Sequence, residues 1–200
     1  MAGFTVSLNQ SQVDEVKLLL ANVKNGAEQS MRIALNLGLD TAVSLSAKGI
    51  NEKTTLTQSK AKEFFDTTRA TNASLSAVLR IRGERKIPLI DFTNSALGTG
   101  GVSVKVWRDE SPVKYRHAFY ATMKSGHRGI FQRDIKSPQY GPRAANNRWG
   151  LTWLPIDELV GPDVATVYEK TPGLAERVEE ESSRRAIEEL DRQVDRLLGI

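Results

Sequence analysis

The chain contains 200 residues, of which 26% are charged and 40% are hydrophobic, and its formal net charge is +4. This length allows one or two compact domains, and the lack of cysteine excludes a disulfide scaffold, a cysteine-ligated metal site and a cysteine nucleophile. Residues 1–10 lack the regions of a signal peptide, and no apolar run approaches the roughly 20 residues that span a bilayer. We therefore expect a soluble protein, made in the cytoplasm, that does not contact a membrane.

The N-terminal part of the chain has the periodicity of helices. Apolar residues recur at steps of three and four over residues 13–23, which predicts a first helix with Ser11 as its N-cap. A second apolar stripe predicts a helix from about Ala27 to a stop at Gly49, weakened at Gly38 by about 1 kcal/mol relative to alanine. A short third helix is expected at residues 58–66.

From Thr71 the apolar period changes from about 3.6 to 2, which marks the start of a sheet. The short connections favour antiparallel neighbours, and the turn at residues 124–129 predicts a hairpin. His117 falls on the apolar side of its strand, so we expect it to be a core histidine. The predicted strands are residues 74–82, 102–107, 115–123, 130–133 and 151–154.

The C-terminal segment is predicted to be helical again. Gly161-Pro162-Asp163 opens a short helix that reaches about Tyr168, and a helix of about 26 residues, roughly 39 Å long, follows from about Pro172. A helix of this length exceeds what a domain of this size covers, so we expect its apolar seam to pack on a partner chain as a subunit interface. The alternative is that the helix folds back on the sheet. The seam has a heptad-like spacing and consists of Ile187, Leu190, Val194 and Leu197.

These elements predict an α+β fold with N-terminal helices, a central antiparallel sheet with hairpins, and a long C-terminal helix. The expected division is an α+β domain over residues 1–170, with its helices within 11–66 and its sheet within 71–154. An interaction arm over residues 171–200 is expected to follow it.

The charge is divided unevenly along the chain. Residues 1–68 hold seven basic and seven acidic residues, residues 69–149 hold fifteen against five, and residues 150–200 hold six against twelve. A basic centre of this kind is typical of a surface for phosphates or for an acidic partner, and the acidic tail is one candidate partner. We expect the contacts to DNA or to an acidic partner at Arg128, Arg133, Arg143 and Arg148. Further cations are expected to line a basic surface with them on or beside one sheet: Arg80, Arg82, Lys105, Arg116 and Lys124.

Few residues suit a catalytic or metal site. His127 lies beside Ser125 in a turn, where adjacent side chains lack the separate orientation that a nucleophile and its base require. Two histidines without acidic residues at ligand spacing match no metal site. Gly98–Gly101 precedes a strand rather than a helix, so we expect a hairpin tip and not a phosphate loop. We therefore predict a protein that is not an enzyme and has no catalytic residue, no cofactor and no metal.

Several sequence blocks follow one another in a distinctive order: Ile87–Phe92, Val102–Trp107, Phe119–Phe131, Leu154–Ile156 and Gly161-Pro162. In this order they resemble the minor tail protein Z family of tailed bacteriophages and prophages, whose members are tail completion proteins of the neck region. The similarity covers most of the chain, and its best-marked block is the turn at Met123–Phe131.

The resemblance implies a structural virion protein rather than an enzyme. It implies a homo-oligomeric ring, with a hexamer as the expected form, at the head-proximal end of the tail, where the ring helps to join the tail to the head. The implied partners are other tail and head-connector proteins, together with non-specific contact with the genome DNA in the conduit. The implied location is the virion, after assembly in the host cytoplasm.

Two interpretations of the charge distribution stay open. The basic centre faces either the phosphates of DNA in the conduit or the acidic tail of the next subunit. An alternative function is a basic nucleic-acid-binding protein that acts free in the host cell. That alternative predicts tight, salt-dependent DNA binding by the isolated monomer, whereas the connector function predicts weak binding until the ring forms.

Overall fold

The computed structural model describes residues 2–83, 86–92, 96–98, 101–133 and 156–200. The chain divides into two compact units. Unit 1 comprises Met1–Asn51, Gln58–Arg85 and Asp163–Ile200, and unit 2 comprises Glu52–Thr57 and Lys86–Pro162. This division differs from the predicted boundary after residue 170, because the last helix belongs to unit 1 instead of forming a separate arm.

Unit 1 contains a three-stranded antiparallel sheet. In sheet order its strands are β1 (Ala2–Val6), β3 (Ala77–Ile81) and β2 (Phe65–Thr68). Ala77, Leu79 and Ile81 are buried, which confirms the alternation predicted for β3. The sequence pattern does not predict β1, although Phe4 of β1 pairs with Leu79 in the middle of the sheet.

The described residues form five α-helices. They are α1 (Gln10–Leu19), α2 (Gly26–Lys53), α3 (Gln58–Lys62), α4 (Val164–Lys170) and α5 (Leu174–Leu198). The N-cap of α1 is Asn9 rather than the predicted Ser11. Asn9 Oδ1 accepts a hydrogen bond from the Gln12 amide at 2.8 Å, and the Gln12 side-chain oxygen accepts one from the Asn9 amide at 3.1 Å. This capping box fixes where α1 begins.

None of the helices in the described ranges combines the length and the apolar character needed to cross a membrane.

The second helix continues past Gly49, where a stop was predicted. Gly49 is buried, and a Cβ at this position would clash with the side chain of Leu174 at the start of α5. Close packing therefore requires glycine here, and α2 ends at Lys53.

Small residues also form the contact between α2 and α5. A Cβ on Gly38 would lie 3.0 Å from Ala186 Cβ and 3.0 Å from the backbone oxygen of Ser182. All three residues are buried. Gly38 lowers the intrinsic stability of the helix relative to alanine, but it also allows the backbones of α2 and α5 to approach closely. A larger side chain would prevent this approach.

One apolar cluster joins α1, α2 and α5. Val16, Met31, Leu190 and Val194 belong to it, and each is at most 6% exposed. The α5 helix also contacts β1 of the sheet. The last helix therefore folds back into its own unit. The expectation that the whole apolar seam packs on a partner chain is wrong for Leu190 and Val194, because helices of the same unit already bury them.

Unit 2 contains two three-stranded antiparallel sheets and a short 3-10 helix at Leu89–Asp91. One sheet has the order β4 (Ala96–Gly98), β5 (Gly101–Val104) and β6 (Val113–Tyr115). The other has the order β7 (Ala118–Thr122), β8 (Arg128–Arg133) and β9 (Ile156–Glu158). The α+β class with antiparallel hairpins is confirmed, but the described strands form three small sheets instead of one central sheet.

Three strand predictions have different outcomes. Gly98 pairs with Gly101 across β4 and β5, as expected for a hairpin. The predicted strand 115–123 is interrupted in the turn between β6 and β7, where His117 adopts a φ of 66°. His117 is exposed there, so its assignment as a core histidine is wrong. The strand predicted at 151–154 lies outside the described residues.

Candidate functional site

Two of the four predicted contact arginines lie on the β7–β8 hairpin. Arg128 is opposite Thr122, and Phe131 is opposite Phe119. Because side chains alternate between the faces of a sheet, Arg128 lies on one face, while Phe131 and Arg133 lie on the other. Arg128 and Arg133 therefore do not form one cationic cluster.

The other two contact arginines, Arg143 and Arg148, lie outside the described residues.

Arg133 packs against aromatic side chains. Its guanidinium carbon lies 5.3 Å from the centroid of the Phe119 ring, and the Phe119 and Phe131 rings are 6.4 Å apart. A cation over an aromatic ring gains about 0.5–1 kcal/mol at an exposed site. Arg133 is half-buried, and its guanidinium packs over the Phe119 ring.

His127 connects the hairpin turn to β9. Its Nε2 lies 2.7 Å from Glu158 Oε1, and its ring meets Phe131 edge-on at a centroid distance of 6.4 Å. Gly129 provides the space, because a Cβ there would lie 2.5 Å from the same carboxylate oxygen. The sequence places His127 in a turn but does not indicate Glu158, which becomes its neighbour only when β9 pairs with β8.

The turn between β7 and β8 is closed by backbone hydrogen bonds. The Met123 amide donates to the His127 carbonyl at 2.7 Å, and the Gly126 amide donates to the Met123 carbonyl at 2.9 Å. Gly126 has a φ of 84°, which favours glycine, and no described atom lies within 4 Å of the place where its Cβ would be. The hairpin predicted here is confirmed.

This turn carries exposed positive charge. We call residues Met123–Arg128 the hairpin tip. Lys124 and Arg128 are exposed, and in the part of the chain that the structure describes neither has a carboxylate within ion-pair distance. The hairpin tip is therefore an ordered, cationic projection.

The remaining predicted cations are divided among different sheets. Arg80 lies on β3 of unit 1, and Arg82 follows it with its Nε 3.3 Å from Asp66 Oδ2. In unit 2, Lys105 follows β5 and Arg116 lies in the turn before β7. The expected basic surface is therefore not built on one sheet.

The apolar seam of α5 is only partly accessible. Leu190 and Val194 are buried in the core of unit 1, whereas Ile187 and Leu197 are 39% and 37% exposed. Leu197 Cδ1 lies 3.5 Å from the place of a Cβ on Gly26, so Leu197 rests against the start of α2. Ile187 borders a groove.

This groove has a volume of about 290 Å³ and lies between α1 and α5. We call it the α1–α5 groove. Its apolar lining is Val16, Leu19, Ile187, Leu190 and Val194, and its polar lining is Gln12, Glu15, Asp191 and Asp195. Leu19 is 48% exposed, so apolar surface in the groove reaches solvent. The groove thus combines a hydrophobic lining with three carboxylates.

The acidic residues of α5 fall into two groups. Arg184 Nη2 lies 2.5 Å from Glu181 Oε1, and Arg184 also pairs with Glu188. The hydrogen bond from Arg184 lowers the pKa of the Glu181 carboxyl below its ordinary value. Asp191 and Asp195, which line the groove, have no basic side chain within ion-pair distance among the described residues. The groove therefore holds acidic groups that no arginine of α5 neutralises.

Unit 2 has a cavity of about 250 Å³ beside β6. Its lining includes Trp107, Tyr115 and Pro162, together with the carboxylate of Glu110. A lining of this kind accepts apolar groups. Across the described ranges, no group of three or more His, Asp or Glu side chains is placed to hold a metal ion.

A scan against family models, a search of curated proteins and a search of solved structures each gave no match. The described part of the chain has two candidate functional surfaces. They are the α1–α5 groove in unit 1 and the hairpin tip in unit 2.

Proposed function

We propose that this protein is a structural component of a tailed-phage virion. In this proposal it is a tail completion protein that forms a homo-oligomeric ring at the head-proximal end of the tail and helps to join the tail to the head. The order of sequence blocks between Ile87 and Pro162, which resembles the minor tail protein Z family, supports the virion assignment.

The observation that supports ring formation is a pair of surfaces of opposite charge on one chain. The α1–α5 groove presents Glu15, Asp191 and Asp195 around exposed apolar side chains, and the hairpin tip presents Lys124 and Arg128. Two different, complementary surfaces on one molecule make head-to-tail contacts between copies. Such contacts generate rings when the rotation between copies closes. A ring protein requires this kind of asymmetry.

The proposal is tested in a phage that encodes the chain. Inactivation of the gene is expected to leave filled heads and separate tails in the lysate, as seen by negative-stain electron microscopy. Expression of the protein from a plasmid is expected to restore joined particles, and mass spectrometry is expected to find the protein in purified virions. Joined, infectious particles that lack the protein would contradict the proposal.

A basic nucleic-acid-binding protein that acts free in the host cell is the second candidate. Arg128 favours it, because this side chain is exposed and no described carboxylate neutralises it. Arg133 over Phe119 adds a surface of the cationic and aromatic kind on which bases stack. Tight DNA binding by the monomer separates this candidate from the connector.

A further inference from the structure

Three carboxylates line the α1–α5 groove without a cation to balance them. They belong to Glu15, Asp191 and Asp195, and none has a basic side chain within ion-pair distance among the described residues. Elsewhere on α5, Arg184 pairs with both Glu181 and Glu188. Like charges close together on helix surfaces are destabilising. A cationic group that entered the groove would relieve this repulsion.

The groove also leaves apolar side chains in contact with water. Leu19 is 48% exposed and Ile187 is 39% exposed. The volume of about 290 Å³ is close to the lower limit of roughly 300 Å³ for pockets that hold drug-sized ligands. The groove therefore suits a few inserted side chains better than a large ligand. The group that fits it is small, partly apolar and positively charged.

The hairpin tip has this chemistry. Lys124 and Arg128 are exposed cations, and Met123 is a half-buried apolar residue at the base of the turn. The contact between His127 and Glu158 holds the turn against β9. Because the turn is already ordered, docking it costs little conformational entropy.

We propose that the hairpin tip of one copy docks in the α1–α5 groove of a second copy. Lys124 and Arg128 then lie against the groove carboxylates, and Met123 lies toward the apolar lining. The inference rests on the proposed ring, for which it names the contact. Charge complementarity selects this occupant, because the groove carboxylates attract the cationic tip and repel the phosphates of DNA. Each docked copy still offers a groove or a tip to the next copy.

Engineered cysteines test the contact directly, because the chain has no cysteine of its own. One preparation carries Ser125→Cys in the hairpin tip and a second carries Leu19→Cys in the groove. The two are mixed under oxidising conditions and resolved on a non-reducing gel. A disulfide requires Cα atoms within about 7 Å, so docking predicts a mixed dimer of the two preparations.

The matched control replaces Leu19→Cys by Leu18→Cys. Leu18 is the preceding residue of α1, is 79% exposed and does not line the groove. Cross-linking of Ser125→Cys to this control is expected to be about tenfold slower, because successive side chains of a helix point in different directions and the Cβ of residue 18 is directed away from the groove.

Charge reversal gives a second readout. Arg128→Glu and Asp191→Lys are each expected to weaken self-association about tenfold at low salt, measured by sedimentation velocity, because each replaces an attraction by a repulsion. A chain that carries both reversals presents a hairpin tip with a new glutamate and a groove with a new lysine, so attraction between copies returns. Its association is expected to lie within about threefold of that of the original chain. Glu180→Lys makes the same change of charge at an exposed α5 position outside the groove lining, and it is expected to leave association unchanged.

Several results would overturn the docking contact. They are equal cross-linking at Leu18 and Leu19, a double reversal as weak as the single ones, and a chain that stays monomeric at every concentration. Capture of a basic segment from another virion protein in the groove, with no cross-link between copies, would overturn it as well. If gene inactivation still leaves unjoined heads and tails, the proposed function survives these results and the ring is held by other surfaces.

Discussion

At the start of α4, the Asp163 carboxylate accepts hydrogen bonds from two donors of Thr166. Asp163 Oδ1 accepts a hydrogen bond from the Thr166 amide at 2.8 Å, and Oδ2 accepts one from the Thr166 hydroxyl at 2.7 Å. Burial raises the pKa of the Asp163 carboxyl, but hydrogen bonds to the ionised form, of which those from Thr166 come first, lower it, and the pKa lies below its ordinary value of 3.8. The sequence predicts that Gly161-Pro162-Asp163 opens this helix, and the structure makes Asp163 its N-cap.

Removal of this cap is expected to destabilise unit 1. Asp163→Ala is expected to lower the free energy of unfolding by about 1 kcal/mol at neutral pH, measured by urea denaturation followed by circular dichroism. Asp163→Asn retains an acceptor and is expected to cost less. Glu169→Gln, an exposed change on the same helix, is the control and is expected to have little effect.

The pH dependence follows from the lowered pKa of Asp163. A carboxyl whose pKa is lower in the folded state stabilises the fold above its unfolded-state pKa, and the stabilisation is lost as the pH falls through the folded-state pKa. The difference in stability between the original chain and Asp163→Asn is therefore expected to be constant near neutrality and to shrink below the ordinary pKa of 3.8. A difference that stays unchanged in acid would contradict this account.

At the scale of elements, the local periodicity of the sequence predicts the helices, strands and turns that depend mainly on neighbouring residues. The apolar steps over residues 13–23 predicted α1, the alternation in β3 predicted its buried face, and the turn chemistry near Gly126 predicted the β7–β8 hairpin. The first strand was missed because it is short and its partner β3 lies about seventy residues further along the chain.

The two helical glycines were misinterpreted for a related reason. The sequence predicts a weakened helix at Gly38 and a stop at Gly49, whereas both glycines make room for α5. Small residues at every fourth position, Ala34, Gly38 and Ala42, are the sequence signal of close helix packing that was available. The groove was not predictable from periodicity, because its two walls come from opposite parts of the sequence and meet only in the folded unit.

Overpacking the α2–α5 contact is expected to destabilise unit 1 strongly. Gly38→Leu places a large side chain where a Cβ already lies 3.0 Å from Ala186, and it is expected to lower the free energy of unfolding by about 3 kcal/mol. Ser44→Leu is the matched control, since Ser44 is exposed on the same helix, and its effect is expected to stay within about 0.5 kcal/mol. Chemical denaturation of both variants measures the difference. Equal losses in the two variants would contradict a close helix contact at Gly38.

Removal of α5 is expected to unfold unit 1 rather than only to abolish assembly. Truncation after Gly173 deletes Leu190 and Val194 and uncovers the cluster that contains Val16 and Met31. The truncated chain is expected to lose its cooperative thermal transition for unit 1 in circular dichroism. A truncated chain that keeps this transition would show that α5 is an arm, as the sequence first indicated.

At the scale of the whole molecule, the charge pattern of the sequence is redistributed by folding. By sequence, unit 1 holds sixteen basic and seventeen acidic residues, and unit 2 holds twelve and seven. The acidic C-terminal helix shares unit 1 with Arg69, Arg80 and Arg82 from the basic stretch. Unit 1 is therefore almost neutral, and unit 2 carries the basic excess of the chain. Two local features of opposite charge lie on the described surface, the acidic α1–α5 groove and the basic hairpin tip.

DNA binding by the isolated chain is expected to be weak and non-specific. The connector function predicts a micromolar or weaker Kd for duplex DNA, measured by fluorescence anisotropy at physiological salt. If Arg128 contacts a phosphate, Arg128→Ala is expected to reduce the slope of log K against log salt by about 0.9. Lys170→Ala, an exposed change on α4, serves as the control. Nanomolar binding by a monomer would support the free nucleic-acid-binding protein instead.

The segments of unit 1 are interrupted by those of unit 2, and this order has a consequence during translation. Glu52–Thr57 and Lys86–Pro162 are synthesised before Asp163–Ile200, so the ribosome completes unit 2 while unit 1 still lacks α5. One wall of the α1–α5 groove, which includes Leu190 and Val194, is absent until then. Nascent chains on one messenger RNA can present a hairpin tip but no groove to receive it. Two such nascent chains therefore do not dock with each other, because docking needs at least one copy whose synthesis has passed α5.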